Sequence, residues 1–319
     1  MLLHLLLIAA GFVFLIKGAE LLIEGAASLA KKLKLSDLAI GLTIVAFGTS
    51  SPELFINLIS NFKNSTDLAI GNVIGANIIN LLLATGLAAA IHPIRIRLRQ
   101  ADTEILLGLS ALILLFLLSN DFFMSSGDDL LISRWDGAGL LFLFLVFLYY
   151  TFGLKRSHDE ASEQTPDSHH FLSLAYVIAG IAGLIVGGNW VVTGAVILAN
   201  QLHLSPSIIW LTIVSLGSTL PELAASAMAA WKKNADLAIG NIIGSIIFNI
   251  FFILGLNALL KPLPFNPQLN FDLVVAMAAT CLLFYFILIG RRRDHIERWE
   301  GVILILIYLG YFGALIFKQ

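Results

Sequence analysis

Long apolar runs, interrupted at short intervals by one or two polar residues, set the pattern of this chain. Ten of them approach or exceed the roughly 20 residues that a helix needs to cross a bilayer core. They lie at about 2–30, 37–62, 67–91, 103–120, 134–153, 171–199, 205–231, 236–260, 270–290 and 299–317. Only the stretch from Lys155 to His170 reads as a polar linker. The pattern predicts an all-α polytopic membrane protein with ten transmembrane helices.

Composition agrees. The chain is 58% hydrophobic and 13% charged, with mean hydropathy +0.91, far from the balance of soluble domains. AASLA, near the end of the first run, has the look of a cleavage site. The preceding segment carries Lys17, Glu20 and Glu24 and lacks a basic start, so no cleaved leader is expected. The lone cysteine, Cys281, has no intrachain disulfide partner and fits no metal motif. Charge adds orientation. Loops after the odd-numbered spans hold fourteen Lys and Arg, including Lys31, Arg95, Lys155, Lys232 and Arg291. The opposite side holds four: Lys63, Arg134, Lys261 and Lys318. The positive-inside rule then places both termini away from the cytoplasm, and the bias supports a count of ten.

Two apolar runs carry matching offences. FGTSSPELF, from Phe47, and LGSTLPELA, from Leu216, each place a proline and a glutamate inside otherwise buried sequence. They belong to a long internal repeat: residues 42–87 align without a gap on residues 211–256, with 21 of 46 positions identical at an offset of 169. The offset extends back to Gly18 and Gly187, and RWDG at Arg134 echoes RWEG at Arg298. The chain thus divides into a first five-helix repeat (1–153), a linker (154–170) and a second five-helix repeat (171–319). Five is odd, so the halves cross the membrane in opposite senses. Inverted repeats with broken helices describe a secondary transporter whose site lies at the repeat interface.

Pro52 and Pro221 interrupt the helices, and Gly48 and Gly217, four residues earlier, loosen the same turns. Backbone carbonyls freed there can serve as cation ligands if they line a cavity. Helical spacing puts Thr49 and Ser50 on the face of Glu53, and Ser218 and Thr219 on the face of Glu222. In the next helix of each half, Asn72, Ala76 and Asn80 lie four apart, as do Asn241, Ser245 and Asn249. Asn80 and Asn249 are expected ligands. Asn72 and Asn241 are expected to brace the packing, and Gly71, Gly75, Gly240 and Gly244 to permit close helix approach. Such a site offers carboxylates, hydroxyls and amides but neither His nor Cys. Oxygen donors of that kind suit calcium, not zinc or copper. Each buried charge costs at least ~2.5–3.5 kcal/mol on insertion scales, so the two glutamates need positive charge between them. One calcium, two sodium ions or two protons would each neutralise the pair, which is a physical basis for exchange.

At GTSSPE and GSTLPE, each followed by GNxxG and a later Asn, the sequence resembles the cation/calcium exchanger superfamily, in its prokaryotic sodium/calcium exchanger branch. The likeness covers nearly the whole chain. It implies a core of spans 2–5 and 7–10, across which spans 1 and 6 slide as long tilted helices. It also implies that Glu53 and Glu222 are the central ion ligands. Thr49, Ser50, Asn80, Ser218, Thr219, Ser245 and Asn249 would surround them, together with the carbonyls of Ala46 and Ser215. This chain departs from some relatives in having Asn249 where they carry an aspartate. Ala76 stands for a serine, and Ile246 for an asparagine. Two visible carboxylates fit one calcium against two monovalent ions more simply than against three, without fixing the stoichiometry.

The expected activity is calcium/sodium antiport by alternating access, with proton-driven exchange as the alternative. No cofactor, nucleic acid or obligate protein partner is implied; the partners are Ca2+, Na+ or H+ and the lipid bilayer. A passive cation channel and an intramembrane hydrolase using Ser50 or Ser51 are the rivals. The hydrolase would need a histidine or lysine at membrane depth to activate its serine. His92 and His203 sit at span ends and His4 near the start. Lys17, Glu20 and Glu24 share one face of span 1, where Lys17 can pair with either acid or the acids can reach the interface. Asp67 and Asp236 read as helix caps, and Asp121, Asp128 and Asp129 as a solvated acidic loop.

Overall fold

Inside lipid the backbone has no water to bond, and the apolar runs answer by closing their hydrogen bonds within helices. The structure, a computed structural model, describes residues 2–62, 66–95, 98–120, 130–154, 170–201, 215–289 and 295–317. In chain order the helices are α1 (Leu2–Leu33), α2 (Asp37–Thr49), α3 (Ser51–Phe62), α4 (Ala69–Ile91), α5 (Leu98–Ser119) and α6 (Arg134–Leu154). After the linker come α7 (His170–Gln201), α8 (Ser215–Ser218), α9 (Leu220–Trp231), α10 (Ala235–Leu260), α11 (Asn270–Ile289) and α12 (Arg298–Phe317).

Among the described residues, seven helices are long and apolar enough to cross a membrane. An eighth crossing is the pair α2–α3, bent by 47°. The apolar part of α5, Thr103–Ser119, is shorter. The first part of the expected seventh span, 205–214, lies outside the described residues, as do residues 155–169 of the linker and the acidic loop at 121–129. The molecule is thus a multi-pass helical membrane protein.

The centre is built from α4 and α10, whose apolar windows are 72% and 94% buried, against 22–39% for the others. Ile70, Ile74 and Ile78 of α4, with Ile242, Ile243 and Ile246 of α10, form its apolar side. A Cβ at Gly240 would lie 2.7 Å from the Leu38 carbonyl, and one at Gly244 would lie 2.8 Å from Ala46 Cβ. These glycines therefore admit α2 against α10, as expected from sequence, whereas Gly71 and Gly75 do not serve close approach: a Cβ at Gly71 would meet only Leu269 Cδ2 at 3.8 Å, and one at Gly75 would meet nothing within 4 Å among the described residues. The α10 cap differs from expectation. Asn234 accepts the Leu237 N–H at 3.1 Å, while Asp236 sits inside the first turn. An amide one residue before the helix reaches the free N–H groups that a side chain already in the turn cannot.

Helices α1 and α7, 32 residues each and about 48 Å long by helical rise, form an antiparallel pair. Its seam is a glycine heptad on both members: Gly11, Gly18 and Gly25 against Gly180, Gly187 and Gly194. A Cβ at Gly18 would lie 2.7 Å from Leu184 N, and one at Gly187 would lie 2.7 Å from Gly11 O. Backbone meets backbone along this seam, the packing mode that membrane helices use in place of a hydrophobic drive. Lys17 pairs with Glu20 at 2.8 Å, while Glu24 leaves its own helix to meet Lys232, after α9, at 2.6 Å.

Two short antiparallel ribbons exchange the halves. Strand β1 (Ile94–Arg95), which follows α4, pairs with β4 (His295–Ile296), which precedes α12. Strand β2 (Leu131–Ile132), before α6, pairs with β3 (Leu263–Pro264), after α10. The duplicated RWDG and RWEG stand beside these ribbons. Arg298 Nη2 reaches the Ile91 carbonyl at the end of α4, at 3.4 Å, and Arg134 Nη2 reaches the Leu260 carbonyl at the end of α10, at 3.5 Å. The acids close their own helix starts: Asp136 Oδ2 accepts from Ser133 N and Glu300 Oε2 from Glu297 N. The glycines let backbones touch: a Cβ at Gly137 would lie 2.7 Å from Gly255 O, and one at Gly301 would lie 2.6 Å from Gly86 O. Trp135 and Trp299 face outward, where interfacial tryptophans belong.

Candidate cation-binding site

Pro52 has no N–H with which to bond the Gly48 carbonyl, and α2 ends where this defect begins. Ser50 takes up the break at φ −81°, ψ 9°, and Thr219, 169 residues later, does so at φ −91°, ψ 2°. Both lie in the sparsely populated bridge region between helix and strand. The same local chemistry has given the same kink twice. Glu53 and Glu222 follow directly, in the first turns of α3 and α9, and both are wholly buried.

The kinks bring the halves together. Ser50 Oγ donates to Glu222 Oε1 at 2.7 Å and lies 3.1 Å from Ser245 Oγ. Glu53 is close enough to Glu222 for their charges to interact, and the Ser218 side chain lies alongside it. Among the described residues, no hydrogen bond of normal geometry reaches either Glu53 oxygen. Thr49 Oγ1 lies 3.0 Å from Asn241 Oδ1, whose amide nitrogen donates to Ser226 Oγ at 2.9 Å. Asn241 therefore braces one half against the other, as the sequence suggested, while its repeat mate Asn72, expected to do the same, leaves its Nδ2 without a hydrogen-bond partner among the described residues. Thr219, also buried, directs its hydroxyl to the Leu216 carbonyl at 3.0 Å.

Asn80 and Asn249 share a feature that sequence did not reveal. Each is the second residue of a π-helical stretch, Ile79–Ala84 in α4 and Phe248–Leu254 in α10. Such wide turns cluster at functional positions because they shift side chains off the regular helical stripe. Both asparagines are fully buried. Asn249 Nδ2 donates to Asn77 Oδ1 at 3.0 Å. Asn77 was overlooked because it is off the four-residue stripe through Asn72 and Asn80. Its spacing of three from Asn80 was the available signal.

Two expectations about carbonyls fare differently. Ala46 O already accepts Ser50 N at 2.9 Å and Thr49 Oγ1 at 3.2 Å, so the break does not leave it unpartnered. A cation there would have to share it. The carbonyl that the proline releases by geometry is that of Gly48. Ser215 opens α8, and its side chain lies outside the described residues.

Asn57 Oδ1 and Glu300 Oε1 are buried without a hydrogen-bond donor among the described residues, and so are five oxygens at the kinks and π-helical turns: Glu53 Oε1 and Oε2, Glu222 Oε2, Asn80 Oδ1 and Asn249 Oδ1. These five come from both halves and all belong to residues singled out by the repeat.

These helices define an integral, multi-pass membrane protein with buried carboxylates at two broken helices. The sequence profile of the sodium/calcium exchanger protein family matches residues 3–153 and 172–317. CaxA of Alkalimonas amylolytica is 36% identical, over 98% of each chain. The sodium/calcium exchanger MaX1 of Methanosarcina acetivorans is 30% identical, over 98% of this chain and 99% of its own. A solved structure of the sodium-calcium exchanger NCX_Mj, soaked with 10 mM Na+ and zero Ca2+, superposes with TM-score 0.85 at 29% identity, over 98% of this chain and 99% of that one. The chain belongs to the sodium/calcium exchanger family.

Proposed function

We propose that this protein exchanges Ca2+ for Na+ across the membrane by alternating access, extruding calcium on inward sodium. The observation that carries this reading is that five buried oxygens without donors fall on two repeat-matched pairs, Glu53 with Glu222 and Asn80 with Asn249, where most buried acceptors find partners. A hard cation supplies what they lack, and calcium takes about six to eight oxygens in flexible geometry. Glu53 and Glu222 bear the charge. Asn80 and Asn249 contribute amide oxygens, and Thr49, Ser50, Ser218, Thr219 and Ser245 contribute hydroxyls. The carbonyls of Ala46 and Ser215 complete the set, Ala46 by sharing its lone pairs.

The architecture behind this function is ten spans in two inverted repeats, 1–153 and 171–319, joined by 154–170. Helix α5 would be the fourth span, and α8–α9 with residues 205–214 the seventh. Both termini face away from the cytoplasm on the positive-inside count, in a prokaryotic inner membrane. The ribbons and arginine caps tie α4 and α6 to α10 and α12, which favours a core that moves as one body. The glycine seam makes α1 and α7 a second body. Access alternates as that pair shifts across the core, carrying the opening from one face to the other.

Proteoliposomes tested with calcium-45 separate the readings. Uptake should follow an imposed sodium gradient and cease without a counter-ion gradient. Uptake driven by a pH gradient alone would establish the proton-coupled alternative, and net flux without any counter-ion would establish a channel. Glu53→Gln with Glu222→Gln should abolish exchange, and flux surviving that pair sinks the site.

A further inference from the structure

The amides near the site are not symmetric. The repeat offset places Asn77 opposite Ile246 and Ala76 opposite Ser245. Asn249 accordingly has an amide partner from the other half, at 3.0 Å, and its repeat mate Asn80 has no hydrogen-bond partner at either amide atom among the described residues. All three asparagines are fully buried.

An asparagine side chain has two ends of nearly equal size and opposite use. Its carbonyl oxygen can ligate a cation, whereas its NH2 group repels one. A half-turn about the last bond exchanges them, so a hydrogen bond to one end decides which end faces the ion. Asn77 Oδ1 holds Asn249 Nδ2, which leaves Asn249 Oδ1 and Asn77 Nδ2 as the unpartnered atoms of the pair among the described residues. We infer that Asn77 is a positioning residue for cation binding: it fixes the Asn249 amide with its oxygen presented to the transported ion. The inference rests on Asn249 being a ligand, as proposed above. Partners that orient a metal ligand contribute to affinity by holding that ligand in place. Ile246 cannot do the same for Asn80, so Asn249 is the preset amide and Asn80 the adaptable one.

The test is a double-mutant cycle on the full-length protein in proteoliposomes, using calcium-45 uptake against calcium concentration. Asn77→Leu should raise the half-saturating calcium concentration roughly tenfold or more, with a smaller change in maximal rate. Asn249→Leu should do at least as much. The double variant should be no worse than Asn249→Leu, because Asn77 has nothing left to orient. Asn77→Asp keeps an acceptor of similar size for Asn249 Nδ2, so its half-saturation should not rise; it carries the test if Asn77→Leu fails to fold. Unchanged half-saturation in folded Asn77→Leu overturns the inference, as do effects that multiply in the double variant or weakened calcium uptake in Asn77→Asp. A neutral Asn249→Leu also overturns it, but with a different signature, since the ligand reading then falls first.

Discussion

Ser50 shows how much one hydroxyl can carry at this depth. It stands at the kink, donates to Glu222 Oε1 at 2.7 Å and lies beside Ser245, so it joins the break in one half to the acid of the other. Ser51, its neighbour, reaches back across the kink to the Phe47 carbonyl and touches neither acid through a hydrogen bond among the described residues. A hydrogen bond to a charged group is worth about 1.5–3 kcal/mol, or roughly ten- to a hundredfold in binding. Ser50→Ala should therefore raise half-saturating calcium within that range, and Ser51→Ala should leave it nearly unchanged, both read from calcium-45 uptake. Equal losses at the two serines would count against the assignment. Residues of this kind were legible in the sequence because chemistry was repeated at one offset. Asn77 was not, because the repeat puts an isoleucine opposite it and its bond partner lies 172 positions away.

At the scale of elements, the broken helices were legible from Pro52 and Pro221, while the π-helical turns under Asn80 and Asn249 were not. A widened turn arises where packing rewards it, and no residue type announces it. The glycine heptads of α1 and α7 were equally visible as letters but silent about their partner. They matter because each is met by backbone on the facing helix. Replacing Gly18 with leucine must drive the pair apart, since a Cβ alone would lie 2.7 Å from Leu184 N. Overpacking of this sort costs typically about 1–3 kcal/mol. We expect Gly18→Leu to lower the melting temperature in detergent, whereas Gly310→Leu, at a glycine with open space around it, should not. A Gly18→Leu protein as stable as the parent would refute the close seam.

At the scale of the whole molecule, and on the proposed reading of two five-helix halves, the sequence repeat matters most at RWDG and RWEG. From the sequence they served only as evidence of a repeat. In the fold, each arginine caps a helix of the other half, each glycine admits a backbone from the other half, and each ribbon takes one strand from either side. Neither half finishes its own central helix. Such an arrangement has the logic of an exchanged dimer whose two members happen to share one peptide chain. The connection through residues 155–169 is then a convenience of synthesis, and the recognition resides in the reciprocal caps. Fragments 1–154 and 170–319, made together in one cell, should find each other and co-purify as an assembly that takes up calcium. With Arg134→Ala and Arg298→Ala introduced together, the yield of that assembly should fall, while the unbroken chain with the same changes still folds.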